Sequence, residues 1–190
     1  MKRAQKRAHL VETAVELFNR LGYHGAGIDR IIAEAGIAKT TLYRHFNSKE
    51  ELIVAVLRRI DENQREKMRE IVEREPRDPE EKILATFDFL DDWYRDEAFY
   101  GCAFISAASE YSERPGAVFQ EAAMHKRLVV AYFEELARAA HISNPQRFAE
   151  EINLLHEGAT AIAHITGDAG AAFKAKEIAA RLIEDAREQG

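Results

Sequence analysis

The stretch Ile28-Asp29-Arg30-Ile31-Ile32-Ala33-Glu34-Ala35-Gly36-Ile37-Ala38-Lys39-Thr40-Thr41-Leu42-Tyr43-Arg44-His45-Phe46 decides how the rest of the chain is read. Ile28, Ile31, Ile32 and Ala35 recur at helical spacing, which predicts a helix over 28–35. Gly36 ends it, because glycine enters the left-handed region that closes a helix without a Cβ clash. A second short helix is predicted over 39–45, with Leu42 and Phe46 turned inward and Lys39, Thr40, Tyr43 and Arg44 left outside. Two short helices about a glycine turn, the second polar on its outer side, form the pattern of a helix-turn-helix that reads DNA. The same pattern suits a polar helix face in an unrelated bundle, so the flanking sequence has to decide.

Upstream, Leu10, Ala14, Leu17, Phe18 and Leu21 predict a helix over 3–21, stopped by Gly22. These three helices share so few apolar residues that they must bury them together in one small core. Residues 1–49 carry nine Lys or Arg against four Asp or Glu, a net +5, whereas residues 50–190 carry a net −11. A basic head on an acidic body points to a polyanion partner for the head, or to an ordinary fluctuation of surface charge. Lys2, Arg3, Lys6 and Arg7 crowd a helix start, where cations are unfavourable. A polyanion would explain them, and so would a solvated tail.

Downstream, Ser48-Lys49-Glu50-Glu51 reads as a capping box opening a long helix to about residue 75, whose charged later part is expected to be a solvated connector. Asp78-Pro79 and Asn144-Pro145 each place a capping side chain before a proline in the first helical position. They start helices predicted over 79–94 and 145–166. Further helices are predicted over 104–111 and 117–140, and from the Gly167–Gly170 turn to about residue 188. The fold class is therefore all-α, about nine helices: a three-helix helix-turn-helix domain (residues 1–50) joined by a long helix to a helical bundle (residues 51–190).

The wording of the head goes beyond its periodicity. Ala14-Val15-Glu16-Leu17-Phe18, Gly22-Tyr23, Ile31-Ile32-Ala33-Glu34-Ala35-Gly36, Thr41-Leu42-Tyr43-Arg44-His45-Phe46 and Lys49-Glu50-Glu51-Leu52 together resemble the N-terminal domain of the tetracycline-repressor family. The resemblance covers about the first 50 residues. It implies a nine-helix regulator that dimerises through its last two helices, binds a double-stranded DNA operator and responds to a small-molecule effector. It implies that the third helix enters the major groove, with Thr41, Tyr43 and Lys49 at positions that touch the DNA backbone. The expected DNA-binding set is thus Lys39, Thr40, Thr41, Tyr43, Arg44, His45 and Lys49. Two departures are visible: Ala26-Gly27 and Ala38 stand where family members often carry Ser or Thr, so side-chain caps are missing there.

The body is rich in aromatic residues between Phe87 and Phe133. Apolar sites with a few polar groups bind small ligands, although most such rings are plain core. Trp93, Phe104, Tyr111 and His125 are the pocket candidates, because they lie on the helices that form the pocket in the resembled family. Gly158, Ala159, Ala161 and Ala163 on the eighth helix permit close helix approach, and Phe173, Leu182 and Ile183 add apolar bulk on the ninth. Gly158, Ala161, Phe173, Leu182 and Ile183 are therefore the candidate homodimer interface; packing within the chain is the alternative.

Other chemistry is thinly represented. His156 and His164 lie eight apart beside Glu157, with no third ligand at metal spacing, and are read as ordinary polar residues; no metal and no cofactor is expected. Cys102 is either a sensor thiol or an inert small hydrophobe. A helical-bundle enzyme would need paired Glu-x-x-His motifs, whereas Glu121 and His125 are one residue too far apart; no phosphate loop or nucleophile elbow occurs. A protein-interaction adaptor would not need the basic head. With 46% hydrophobic and 32% charged residues, no apolar run of membrane-spanning length, no signal-peptide pattern and one cysteine, a reducing cytoplasm is the expected setting, with no membrane partner.

Overall fold

A computed structural model describes residues 3–188. Lys2, one of the expected basic cluster, lies outside the described residues. Nine α-helices and no strand occur among the described residues: α1 (Arg3–Gly25), α2 (Ile28–Glu34), α3 (Lys39–Tyr43), α4 (Lys49–Glu73), α5 (Pro79–Tyr94), α6 (Ala103–Glu110), α7 (Ala117–Ala139), α8 (Pro145–Thr166) and α9 (Ala171–Glu188). The chain forms two compact units. Among the described residues, the first holds 3–63 with 103–125, and the second holds 64–102 with 126–188.

In the first unit, Leu10, Ala14, Leu17 and Phe18 of α1, Ile31 of α2, Leu42 of α3, Phe46, and Leu52, Ile53, Val56 and Leu57 of α4 are all nearly or fully buried and supply the core. Of these helices α2 and α3, seven and five residues long, are too short to stand alone and depend on this core. Gly22 interrupts α1 with φ 75° and ψ 168°, as its place after Leu21 predicts, and the helix resumes briefly to Gly25. The Glu110 carboxylate accepts the backbone N–H groups of Tyr23 (2.8 Å) and His24 (2.6 Å) freed by that break. The His24 ring returns a hydrogen bond to the Glu110 carbonyl at 2.8 Å, and the Tyr23 hydroxyl donates to the Ala103 carbonyl at 3.1 Å. These four bonds tie α6 to the end of α1.

In the second unit, α5, α8 and α9 pack together around Phe87, Leu90, Phe133, Phe148, Ile152 and Ile183. Asp78 accepts from the Glu80 and Glu81 N–H groups, and Glu81 answers at the Asp78 N–H, a complete capping box. Asn144 caps α8 through the Arg147 N–H at 3.3 Å.

Two local expectations need correction. Ser48 accepts the Glu51 N–H at 3.1 Å, but the Glu51 carboxylate reaches the N–H of Asn47 (2.7 Å) and not that of Ser48, so the box at α4 is half formed. The later part of α4 is not a solvated connector: Met68, Ile71 and Val72 are buried in the second core, spaced three and four apart within a run of charges.

Candidate nucleic-acid interface and effector elements

The α2–α3 turn positions the candidate reading helix. Gly36 takes φ +61°, its N–H reaches the Ala33 carbonyl (3.2 Å), and the Ile37 N–H reaches the Ile32 carbonyl (3.1 Å). This is a Schellman closure, which spends two of the orphan carbonyls of α2 and redirects the chain into α3. The His9 ring donates to the Ala35 carbonyl at 3.1 Å and fixes the same corner to α1. Gly27 and Ala38 supply extended N-cap backbone without a side-chain bond, as the departures from the family pattern predict. Regular α3 covers five residues, two fewer than expected, because Arg44 and His45 close it as a turn.

Lys39, Thr40, Tyr43 and Arg44 are exposed, Tyr43 by 47%. Thr41 and His45 are half-buried, the latter with its ring 6.5 Å from Phe46. Lys49 is half-buried as well. Its ammonium donates to the His24 carbonyl at 3.3 Å, and burial lowers its pKa while Glu110 opposes that shift. Lys39 is paired with Asp29 of α2 at 2.9 Å, an arrangement that ten residues of separation do not advertise. The Arg7 guanidinium lies 5.0 Å over the Phe46 ring, so one cation of the basic segment is seated on the head's core.

The four pocket candidates do not share a unit. Phe104, Tyr111 and His125 belong to the first and Trp93 to the second. Phe104 and His125 stack at 3.6 Å with rings nearly parallel, and His125 Nδ1 meets an Asp61 carboxylate oxygen at 2.7 Å; both histidine and aspartate are buried. Tyr111 stacks on His24 at 4.7 Å and lines a cleft of about 360 Å³ with Glu50, Glu110 and Phe119. Trp93 sits among Phe89, Tyr94 and Phe99, with ring centroids 5.1–5.9 Å away.

The second unit also holds a set of buried polar contacts. Thr86 donates to the Ile83 carbonyl (2.7 Å) and so must accept from His156 Nε2 (3.0 Å), which sets that ring's tautomer. Tyr94 donates to Thr160 (2.8 Å), which donates to the His156 carbonyl (2.8 Å). Desolvation, helped by the Lys126 charge, pushes His156 down to about 3, so it is neutral near pH 7. His164 is engaged elsewhere: a Cβ at Gly101, whose φ is +79°, would come within 2.7 Å of its ring. Among the described residues no three His, Cys, Asp or Glu side chains are grouped to hold a metal ion. Cys102 is half-buried and accepts from Lys126, whose ammonium also meets Glu157 at 2.5 Å.

Of the interface candidates, Gly158, Ala161 and Phe173 (63%) are exposed, Leu182 is half-buried, and Ile183 is only 4% exposed inside its own core. Ile183 therefore faces inward, one turn from Ala179, and is not on the outer surface. Ile178, which belongs to the same apolar run of the ninth helix, is exposed too, and so are Leu154, Ile162 and Ile165, which the small-residue stripe does not point to. The available signal was that α8 is apolar on two sides: Ile152, His156, Ala159 and Ala163 are buried, and Leu154, Gly158, Ala161, Ile162 and Ile165 lie outward. No helix among the described residues is long and apolar enough to cross a membrane.

Comparison with known proteins agrees with this architecture. Residues 10–56 match the model of bacterial regulatory proteins of the tetR family, and residues 79–179 match the tetracyclin repressor-like C-terminal domain. The HTH-type transcriptional activator FasR of Mycolicibacterium smegmatis is 38% identical over 95 residues, covering 48% of this chain and 43% of its own. A fatty acid metabolism regulator protein of Bacillus subtilis is 31% identical over 80 residues, covering 42% of this chain and 38% of its own. The chain thus spans less than half the length of these two curated relatives. The crystal structure of a TetR-family transcriptional regulator from Streptomyces coelicolor superimposes with a TM-score of 0.88 at 27% identity, over 96% of both chains. A TetR regulator from Chloroflexus aurantiacus does so with 0.83 at 25% identity, again over 96% of both. With its C-terminal family model covering more than half of the sequence and its head matching the N-terminal one, the chain belongs to the tetR family of bacterial regulatory proteins.

Proposed function

We propose that the chain is a cytoplasmic DNA-binding repressor that works as a homodimer and leaves its operator when a small molecule binds, with no enzymatic activity of its own. The observation that carries the reading is the outer face of α3, where Lys39, Thr40, Tyr43 and Arg44 stand exposed on a helix held in place by a Schellman turn. Such a short, rigidly seated helix can present its first residues to base edges, while Thr41, His45 and Lys49 border the groove and the backbone. Residues 1–50 are the reading head in this account, and residues 51–190 serve sensing and dimerisation. Gly158, Ala161, Phe173 and Leu182, joined by Leu154, Ile162, Ile165 and Ile178, form the surface that meets a second copy. An exposed apolar stripe of that extent is unusual on a protein that stays monomeric. Trp93 with its neighbouring rings, and Phe104, Tyr111 and His125 of the other unit, are the elements whose packing the effector alters.

The test begins with duplexes enriched from a random library by the protein itself. Tyr43→Ala combined with Lys49→Ala abolishes binding to the enriched duplex while the far-ultraviolet dichroism stays unchanged. A doubly substituted protein that binds as tightly as the parent overturns the reading.

A further inference from the structure

Asp29 stands in the first turn of α2 and Lys39 is the first residue of α3. The Gly36 turn brings the carboxylate and the ammonium to 2.9 Å, although both side chains remain largely exposed, 81% and 56%. Ala38 offers no side-chain cap to α3, and a cation at a helix start is unfavourable, so the Asp29 charge offsets a local electrostatic cost. The same carboxylate raises the Lys39 pKa by hydrogen bonding and by its charge. Asp29 thus places a negative charge next to a face that must approach DNA, a polyanion.

We propose that Asp29 is a specificity-determining residue: it holds Lys39 in the free protein, so that only DNA offering Lys39 a better partner than a carboxylate is bound tightly. This rests on α3 being the reading helix. An exposed ion pair is weak and exchanges readily, so the grip is reversible. On a matching site, a base edge with two acceptors, such as guanine O6 and N7, replaces the carboxylate. On non-matching DNA only a phosphate is available, and the released carboxylate then faces like charge, which penalises the wrong complex. Asp29 lowers affinity for DNA in general and raises the ratio of matched to unmatched binding.

The experiment is a double-mutant cycle on a short random-sequence duplex, with affinity measured across a series of KCl concentrations for the parent, Asp29→Asn, Lys39→Met and the double variant. Each phosphate neutralised adds about 0.9 to the slope of log affinity against log salt. Asp29→Asn is expected to tighten random-duplex binding several-fold and steepen that slope by about one such contact. Lys39→Met alone does not steepen the slope, because it leaves the Asp29 carboxylate unpaired beside the DNA, and the double variant loses the gain. On the library-enriched duplex, Asp29→Asn gains less, so discrimination falls. An unchanged slope in Asp29→Asn, or a gain that survives Lys39→Met, overturns the assignment while leaving the DNA-binding reading intact. Failure of the parent and of Asp29→Asn to bind any duplex, enriched or random, overturns both.

Discussion

The outer face of α3 and the outer faces of α8 and α9 leave different chemistry exposed. On α3 the exposed side chains are polar or cationic, Lys39, Thr40, Tyr43 and Arg44, and one of the cations is already held by a carboxylate. On α8 and α9 they include Leu154 (70%), Ile162 (52%), Ile165 (81%), Phe173 (63%) and Ile178 (44%). Both helix sets bury an opposite apolar side, so folding of the chain explains neither outward composition. A polar face loses little in water and gains from a charged partner in a salt-dependent way. An apolar face is disfavoured in water wherever it stays uncovered, and in the proposed homodimer a second copy of the same face would cover it under two-fold symmetry.

The largest effect is expected where charge is forced into the apolar face. Ala161→Arg or Ile165→Asp would bury an unpaired charge twice per symmetric interface. Its cost exceeds the roughly 1.4 kcal/mol that corresponds to tenfold in affinity, so dissociation should rise by about a hundredfold or more. Sedimentation velocity should then show monomers with unchanged helical content; persistent dimers would move the interface to another surface.

A second effect, absent near pH 7, belongs to the core of the second unit. His156 is buried and neutral, with its pKa depressed to about 3 from an ordinary 6.5. The unfolded chain therefore binds more protons between these values, and stability contributed by this group is present above about pH 6.5 and declines as pH falls toward 3. The slope approaches about 1.4 kcal/mol per pH unit within that window. Chemical denaturation of the parent and of His156→Gln across the window should show a weaker acid dependence in the variant, while acid sensitivity equal to the parent's would remove His156 from the account.

Smallest is the difference between two helix-closing turns of the same type. The turn after α2 has Gly36 at its left-handed position, and the turn after α7 has His141 there at φ 56°, with the Ile142 N–H on the Ala137 carbonyl at 3.0 Å. A side chain in that conformation costs about 1 kcal/mol. Gly36→Ala should destabilise by about that amount, since no atom crowds a Cβ there and only the backbone conformation is at issue. His141→Gly should be stabilising by up to a similar amount, offset by the added freedom of the unfolded chain. Thermal unfolding of the two variants measures both signs, and equal signs would contradict the turn assignment.

Much of this architecture was readable in advance where one residue type performs one local task. Asp78-Pro79 and Asn144-Pro145 set the starts of α5 and α8 at the residues expected, and Gly36 set the turn that leads into α3. The charged composition of late α4 concealed Met68, Ile71 and Val72, because three apolar residues suffice to anchor one side of a helix that is otherwise in water. Ile183 and Ile165 carry the same side chain, and only the packing of α8 on α9 tells which one is covered. The Asp29–Lys39 pair depends on the angle between two helices, a quantity that residue spacing does not encode.

The most direct test of the two-face account is the stoichiometry and symmetry of the DNA complex. Duplexes enriched from a random library are sequenced, and the mass of the complex on the enriched duplex is measured by sedimentation equilibrium. The account predicts a near-palindromic site, with half-site centres about 34–36 Å or a multiple of that apart if the heads follow the simplest helix-turn-helix dimers. It also predicts an even number of chains per duplex, and weak binding by Ile165→Asp despite an intact α3. Enrichment of sites without internal symmetry, bound by single chains as tightly in Ile165→Asp as in the parent, would contradict it.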